Sequence, residues 1–276
     1  MRPPFNRQRR TFVTSLSGLG GLLAAPSWAA LPVTQPDRSP ICGTLLKMIP
    51  ASGERIPAVG MGSWLTFDIA ERTDSAVRTD QLRAVLRTFF DLGGALIDTS
   101  PMYGSSEQGI GELLRPGVNA VPKREQVFAA SKVWTIGEAA GAGQMATSLA
   151  LWRAGSPTLP GKPRFDLMQI HNMLDWQTHL RTLKAWKAAG RIRYIGITTS
   201  HGRRHEDLEA AMKRERFDFV QFTYNLADRA AESRPLPLAR DRGTAVIINR
   251  QFDGGALFRQ VRGSALPAWA AELGCL

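Results

Sequence analysis

The stretch Leu82-Arg83-Ala84-Val85-Leu86-Arg87-Thr88-Phe89 and, beyond Gly93-Gly94, Leu96-Ile97-Asp98-Thr99 decides the reading of the fold. Leu82, Val85, Leu86 and Phe89 recur at helical spacing and mark one apolar face. The two glycines stand where a left-handed helix C-cap favours glycine, and the short apolar run behind them reads as a buried strand. The same order repeats along the chain. Strands are expected at Val127 to Lys132, Leu167 to His171, Tyr194 to Thr198, Phe219 to Tyr224 and Ala245 to Asn249, with helices between them such as Trp176 to Ala189, closed by Gly190. Repeated strand-then-helix units imply parallel strands joined by crossovers. With Pro57 to Trp64 as the first strand there are seven units, preceded by a short hairpin over Leu45 to Ile56. The natural closure of such a series is an α/β barrel of eight units, a (β/α)8 TIM barrel.

The polar residues at the strand ends carry the chemistry. Asp98 ends the second strand, Tyr103 lies in the loop behind it, Lys132 ends the third strand and His171 the fourth. Each is about one unit from the next, so all four project from the C-terminal rim, where barrels of this kind build their active sites. A buried Asp and Lys on neighbouring strands read equally well as a core ion pair. A Tyr in the adjoining loop and a His on the next strand favour chemistry. Carbonyl reduction needs a proton donor at oxygen as hydride arrives at carbon, and a free phenol with a pKa near ~10 is a poor acid at neutral pH. The Lys132 ammonium would stabilise the phenolate of Tyr103, Asp98 would keep that lysine charged and aimed, and His171 would orient the carbonyl oxygen.

The segments Leu96-Ile97-Asp98-Thr99-Ser100-Pro101-Met102-Tyr103-Gly104-Ser105-Ser106-Glu107, Ala130-Ser131-Lys132 and Leu167-Met168-Gln169-Ile170-His171-Asn172 resemble the three signatures of the aldo/keto reductase superfamily. The resemblance runs from about Gly60 to the C-terminus and includes all four residues of the family's catalytic tetrad. It implies a barrel that binds NADPH across its C-terminal rim and reduces an aldehyde or ketone to an alcohol, with Tyr103 as proton donor. Gly196-Ile197-Thr198-Thr199 stands where the family has Gly-Val-Ser-Asn, so Thr198 keeps a hydroxyl for the nicotinamide carboxamide while Thr199 loses the amide. Gln221 matches the glutamine that meets the same carboxamide. Asn249 replaces an aromatic residue that stacks on the nicotinamide. The loop from Arg250 through Phe252 and Gly254 offers backbone N–H groups and one cation to the pyrophosphate. The family continues into a further helix, an eighth strand and a basic loop for the 2′-phosphate. This sequence stops at Leu276, so the expectation is a C-terminally incomplete barrel lacking its eighth strand and final helix, with NADPH as cofactor and NADH possible.

Composition sets the outer limits. With 276 residues, 43% apolar and 21% charged, the chain is expected to fold around one core, and two cysteines, Cys42 and Cys275, are too few for a disulfide scaffold. The net charge of +11 includes Arg2, Arg7, Arg9 and Arg10 in an acid-free first 30 residues, without which +7 remains. That excess is scattered, with no basic stripe interleaved with aromatics, so no nucleic-acid partner is expected. Residues 1–30 read as a signal peptide: a basic start, the apolar run Phe12 to Ala25, and Ser27-Trp28-Ala29-Ala30 at the cleavage-site spacing. Arg9-Arg10-Thr11-Phe12-Val13 resembles the twin-arginine consensus, which implies partnership with that export machinery and a periplasmic location for the domain over 31–276. The apolar run is shorter than the ~20 residues of a spanning helix and ends at Pro26, so no stable membrane anchor is expected.

Weaker features complete the reading. His201 and His205 have the spacing of a helical metal pair, but Arg203 and Arg204 between them would repel a cation, and no metal site is expected. Trp64, Trp134 and Trp176 are placed to line a substrate pocket for a small carbonyl compound or, equally, to pack in the core. Ser105 and Gln108 have the spacing of a helix capping box. Two classes of function remain: an exported carbonyl reductase, and a non-catalytic, nucleotide-binding accessory barrel or inactive fragment.

Overall fold

Alternation of inward and outward side chains along seven short strands organises the architecture. The computed structural model describes residues 44–69, 75–115, 126–154, 165–200 and 204–269. The expected signal peptide, Cys42, Cys275 and His201 lie outside them. The chain divides into Met1–Gln35 and Pro36–Leu276, and every described residue belongs to the second unit. A hairpin of β1 (Leu46–Met48) and β2 (Arg55–Pro57) comes first, followed by β3 (Met61–Gly62), α1 (Ser75–Asp91), β4 (Leu96–Asp98), α2 (Ser106–Leu113), β5 (Phe128–Val133) and α3 (Glu138–Ala154). The second half comprises β6 (Phe165–Ile170), α4 (Trp176–Ala188), β7 (Ile192–Thr198), α5 (His205–Arg214), β8 (Phe219–Thr223), α6 (Pro235–Asp241), β9 (Ala245–Asn249) and α7 (Ala256–Val261).

Strands β3 to β9 form one parallel sheet in sequence order, the topology of a partial (β/α)8 barrel. The expected hairpin and all seven units are present. The first barrel strand is only two residues long, against the eight expected, because the chain from Ser63 turns across the rim. Gly93 closes the loop after α1 at φ 82, and Gly190 follows α4 at φ 69, a conformation that costs glycine nothing. In α5, Glu206 and Asp207 in the first turn and Lys213 and Arg214 in the last complement the helix dipole. The proposed capping box does not form. Ser105 precedes α2 but donates its hydroxyl to Asp68 (2.7 Å), and Gln108 reaches forward to Glu112 instead.

Outward residues of the strands, including Ile97, Val133, Met168, Ile170, Ile195, Ile197, Val220 and Phe222, pack against the helices in the larger core. Inward residues near the strand starts build a second one: Leu96, Phe128, Leu167, Tyr194 and Phe219, with Tyr194 stacked on Phe128 at 5.9 Å. The hairpin covers this layer with Ile49 and Ile56. Its turn is tied down by a buried polar network in which Arg193 pairs with Glu54 and with Asp166 (2.7 Å), while the Tyr194 hydroxyl meets Glu54 and Ser52 (both 2.7 Å). Burial pushes the Tyr194 phenol up to about 12. Strands β3 and β9 do not pair with each other, and every residue of β9 is only partly buried. A cavity of ≈ 1120 Å³ lies along them, lined from Ile49 and Phe219 at the covered end to Tyr103 and His171 at the rim.

Removing one member of a buried ion network leaves its partners' charges uncompensated, at a cost of roughly 3–5 kcal/mol. Arg193→Met, which takes the shared guanidinium away from the buried carboxylates of Glu54 and Asp166, is expected to lower unfolding stability by that amount in urea titrations; a loss under about 1 kcal/mol would show that the network does not hold the hairpin.

Candidate active site

Inward-pointing polar residues at the far ends of the same strands meet in one cluster. Lys132 is wholly buried, and its ammonium donates to Asp98 Oδ2 (2.6 Å) and to the Thr99 carbonyl (2.8 Å). The register that sets Asp98 beside Ala130 places the long Lys132 side chain over the end of β4. Burial opposes the lysine's charge, but the Asp98 carboxylate and the Tyr103 side chain outweigh it, so its pKa is raised and it stays an ammonium.

Tyr103 and His171 stand above this pair. The Lys132 Nζ lies 5.1 Å from the centre of the Tyr103 ring, and that ring meets the His171 imidazole edge-on at 5.8 Å. The loop carrying Tyr103 is pinned by Asp68, which accepts from both the Ser105 amide (2.9 Å) and its hydroxyl. Gly104 has φ 60, and any Cβ there would strike the Asp68 carboxylate at 2.3 Å. The phenol differs from expectation in one respect: its pKa is raised, because burial, reinforced by Asp98, outweighs the pull of Lys132. His171 is neutral, since burial and the Lys132 charge depress its pKa to about 3. Its Nδ1 is within hydrogen-bonding distance of the Ser100 hydroxyl (3.0 Å), which orients the ring.

The backbone behind His171 is strained, with Asn172, Met173 and Asp175 all at positive φ. Three bonds hold it there: Asn172 N–H to Thr198 Oγ1 (3.0 Å), Arg204 to the Asn172 carbonyl (2.9 Å) and Gly137 N–H to Asp175 (2.8 Å). Thr198 is thereby engaged by the protein itself. Thr199 is buried with its hydroxyl unpartnered, and its carbonyl accepts from Asn249 Nδ2 (2.9 Å). Asn249 also accepts from Thr223 Oγ1 (2.8 Å), so it ties the ends of β7, β8 and β9 together. Gln221 was expected to face the carboxamide; its Nε2 donates to Asp98 Oδ2 (3.2 Å), although the residue lines the cavity. Arg250, expected as a cation for a pyrophosphate, is paired with Asp253 (3.0 Å). Phe252 packs on Phe258 at 4.6 Å, and Gly254 turns the following loop at φ 61.

The three tryptophans separate. Trp64 is half exposed and lines the cavity. Trp134 stands at the rim with its ring 6.5 Å from that of His171. Trp176 does not belong with them: it packs against Phe217 at 6.5 Å in the helix-side core. Ser100, Gln169, Asn172 and Ser200 were missed. Ser100 and Gln169 lie two residues from Asp98 and His171, and the two-residue repeat of a strand was the signal that Gln169 faces inward with His171.

A group whose pKa falls on folding contributes stability above its unfolded value and loses it as pH drops toward the folded one. For His171 that window runs from 6.5 down to about 3. The chain is expected to lose stability across it, and His171→Asn to show a shallower slope in urea titrations at pH 7, 5 and 4; an identical slope would place the loss elsewhere.

Comparison with known proteins identifies the family. The chain is 28% identical over 206 residues to methylglyoxal reductase YeaE of Escherichia coli K12, covering 73% of this chain and 66% of that protein. It is 25% identical over 213 residues to aldo-keto reductase YhdN of Bacillus subtilis 168, covering 75% and 61%. It thus spans two thirds or less of the length of these curated relatives. Among solved structures, an aldo-keto reductase from Klebsiella pneumoniae in complex with NADPH superposes with a TM-score of 0.61 at 23% identity, covering 80% of this chain and 74% of that one. Glycerol dehydrogenase from Gluconobacter oxydans does so with a TM-score of 0.60 at 22% identity, covering 81% and 68%. With the aldo/keto reductase family model matching residues 58–267, most of its length, this chain belongs to the aldo/keto reductase family.

Proposed function

We propose that the chain reduces a small aldehyde or ketone to an alcohol with a nicotinamide cofactor, NADPH or NADH, and that Tyr103 donates the proton. The observation that carries this reading is the convergence of Asp98, Tyr103 and a neutral His171 on one cavity wall, with the buried Lys132 ammonium paired to Asp98 behind them and 5.1 Å from the Tyr103 ring centre. The polar groups that a nicotinamide carboxamide would meet on that wall are Asn172, Ser200, Gln221 and Asn249; Gln221 Nε2 and Asn249 Nδ2 are already bonded to Asp98 and to the Thr199 carbonyl, so these two residues present acceptor oxygens. The loop from Arg250 to Gly254 would hold the phosphates. When bound, the nicotinamide supplies the hydride. Neutral His171 donates a hydrogen bond to the carbonyl oxygen and orients it. Tyr103 passes its proton to that oxygen, and the Lys132 ammonium, kept charged by Asp98, stabilises the phenolate left behind. The relatives' methylglyoxal reductase activity supports a small carbonyl substrate.

Tyr103→Phe is expected to cut kcat for methylglyoxal reduction by ~10²-fold or more with nucleotide affinity nearly unchanged, read from steady-state kinetics and fluorescence titration. Because the acid must be protonated, kcat for reduction should hold through neutral pH and fall only above 10.0, the ordinary value from which the phenol is raised. Full turnover by Tyr103→Phe would remove it from the role of acid. Nucleotide binding by the wild-type chain without turnover of any aldehyde would favour the accessory-barrel reading.

The Arg9-Arg10 motif and the diluted apolar run behind it support export by the twin-arginine route to the periplasm. Replacing both arginines with lysine is expected to leave the precursor in the cytoplasm on cell fractionation; unchanged export would indicate the general secretory route.

A further inference from the structure

Gln169 lies at the centre of the site yet does not line the cavity described above. It is wholly buried on β6, in register with Lys132 on one side and Gly196 on the other. Its Nε2 reaches past β5 to donate to Asp98 Oδ1 (2.8 Å), the oxygen that Lys132 and Gln221 leave to it, since both of these donate to Oδ2. The neighbouring strand makes room for this reach: a Cβ on Gly196 would fall 2.7 Å from Gln169 Cγ. The amide's own oxygen has no hydrogen-bond partner. A buried, unpaired carbonyl lowers stability, and an apolar side chain of the same length would avoid that cost. The benefit of glutamine here is the bond to Asp98.

We propose that Gln169 is a positioning residue for proton donation: by holding Asp98 Oδ1 it fixes the carboxylate against Lys132 and limits how far Asp98 draws the ammonium's field away from Tyr103. The proposal rests on the role given to Tyr103 above. The ionisable groups coupled to Asp98 are Lys132 from β5 and Tyr103 from the loop before α2, while His171 at the end of β6 and Glu107 of α2 interact with Lys132. Without the Gln169 donor, Asp98 keeps more of its charge density. Lys132 is then more fully neutralised, and the Tyr103 phenolate loses support.

The test compares the full chain with Gln169→Met and Gln169→Glu. Tyrosinate absorbance is titrated, and the Tyr103 transition is assigned by difference from Tyr103→Phe, because only Tyr194 and Tyr224 remain. Gln169→Met is expected to raise the Tyr103 midpoint by about one pH unit, and to lower kcat for methylglyoxal by about tenfold with KM little changed. In Gln169→Glu the introduced carboxyl, while protonated, donates to Asp98 as the amide does. This variant should work nearly as well as wild type at acidic pH and lose kcat along a new limb as the proton shared by the two carboxyls departs. A purely structural role would move the unfolding midpoint and produce no such limb. Unchanged Tyr103 midpoints in both variants would overturn the proposal. If Gln169→Met fails to fold, the Gln169→Glu titration decides alone. If wild type reduces no carbonyl compound, the functional reading fails, and the phenol titration still decides whether Gln169 sets the pair.

Discussion

The buried contact between Lys132 and Asp98, 2.6 Å long, is the constraint on which the rest of the site depends. An ammonium with no solvent contact survives only when its charge is matched and its protons are placed, and this one is met by a carboxylate and the Thr99 carbonyl. The carboxylate is encircled in turn, with two glutamine amides completing its shell beside the lysine. Those donors come from β5, β6 and β8, so four strands must be in register before a single charge is satisfied. The ion pair is therefore a product of the assembled sheet and contributes nothing until that sheet exists.

Around it the barrel divides its labour along the strand direction. At the covered end, inward positions carry Phe128, Leu167, Tyr194 and Phe219, which exclude water and anchor the hairpin. Two to four residues further along the same strands, inward positions carry Lys132, Gln169, His171, Thr198 and Gln221. The apolar layer makes the strands rigid, and that rigidity lets the polar layer hold orientations that isolated side chains would not keep. The strained backbone from Asn172 to Asp175 and the Asp68 anchor beneath Gly104 extend the same rigidity into the two loops that present His171 and Tyr103.

Burial then sets the protonation states. One desolvated environment drives His171 neutral and raises the Tyr103 phenol, while Lys132 stays charged because its carboxylate partner outweighs the same desolvation. A hydrogen-bond donor, a protonated acid and a permanent cation thus stand within one side-chain length of each other. This distribution suits reduction of a carbonyl group, the reaction proposed for the chain.

The strand–helix repeat, the hairpin and the meeting of Asp98, Tyr103, Lys132 and His171 at one rim were legible in the amino-acid sequence, because each is encoded locally: by apolar periodicity, by glycine at helix ends, and by polar residues at or just beyond the ends of successive strands. Partners that arise across the sheet were not legible. Gln221 matched a cofactor-binding position but donates to Asp98, and Asn249 became a tie between three strands. Gln169 bonds Asp98 across 71 positions of sequence and an intervening strand. Spacing within one strand reports which face a side chain occupies; only the register between strands decides which side chain it meets. The raised phenol of Tyr103 belongs to the same class, since a pKa is set by the sum of burial and neighbouring charge, and both exist only in the folded chain.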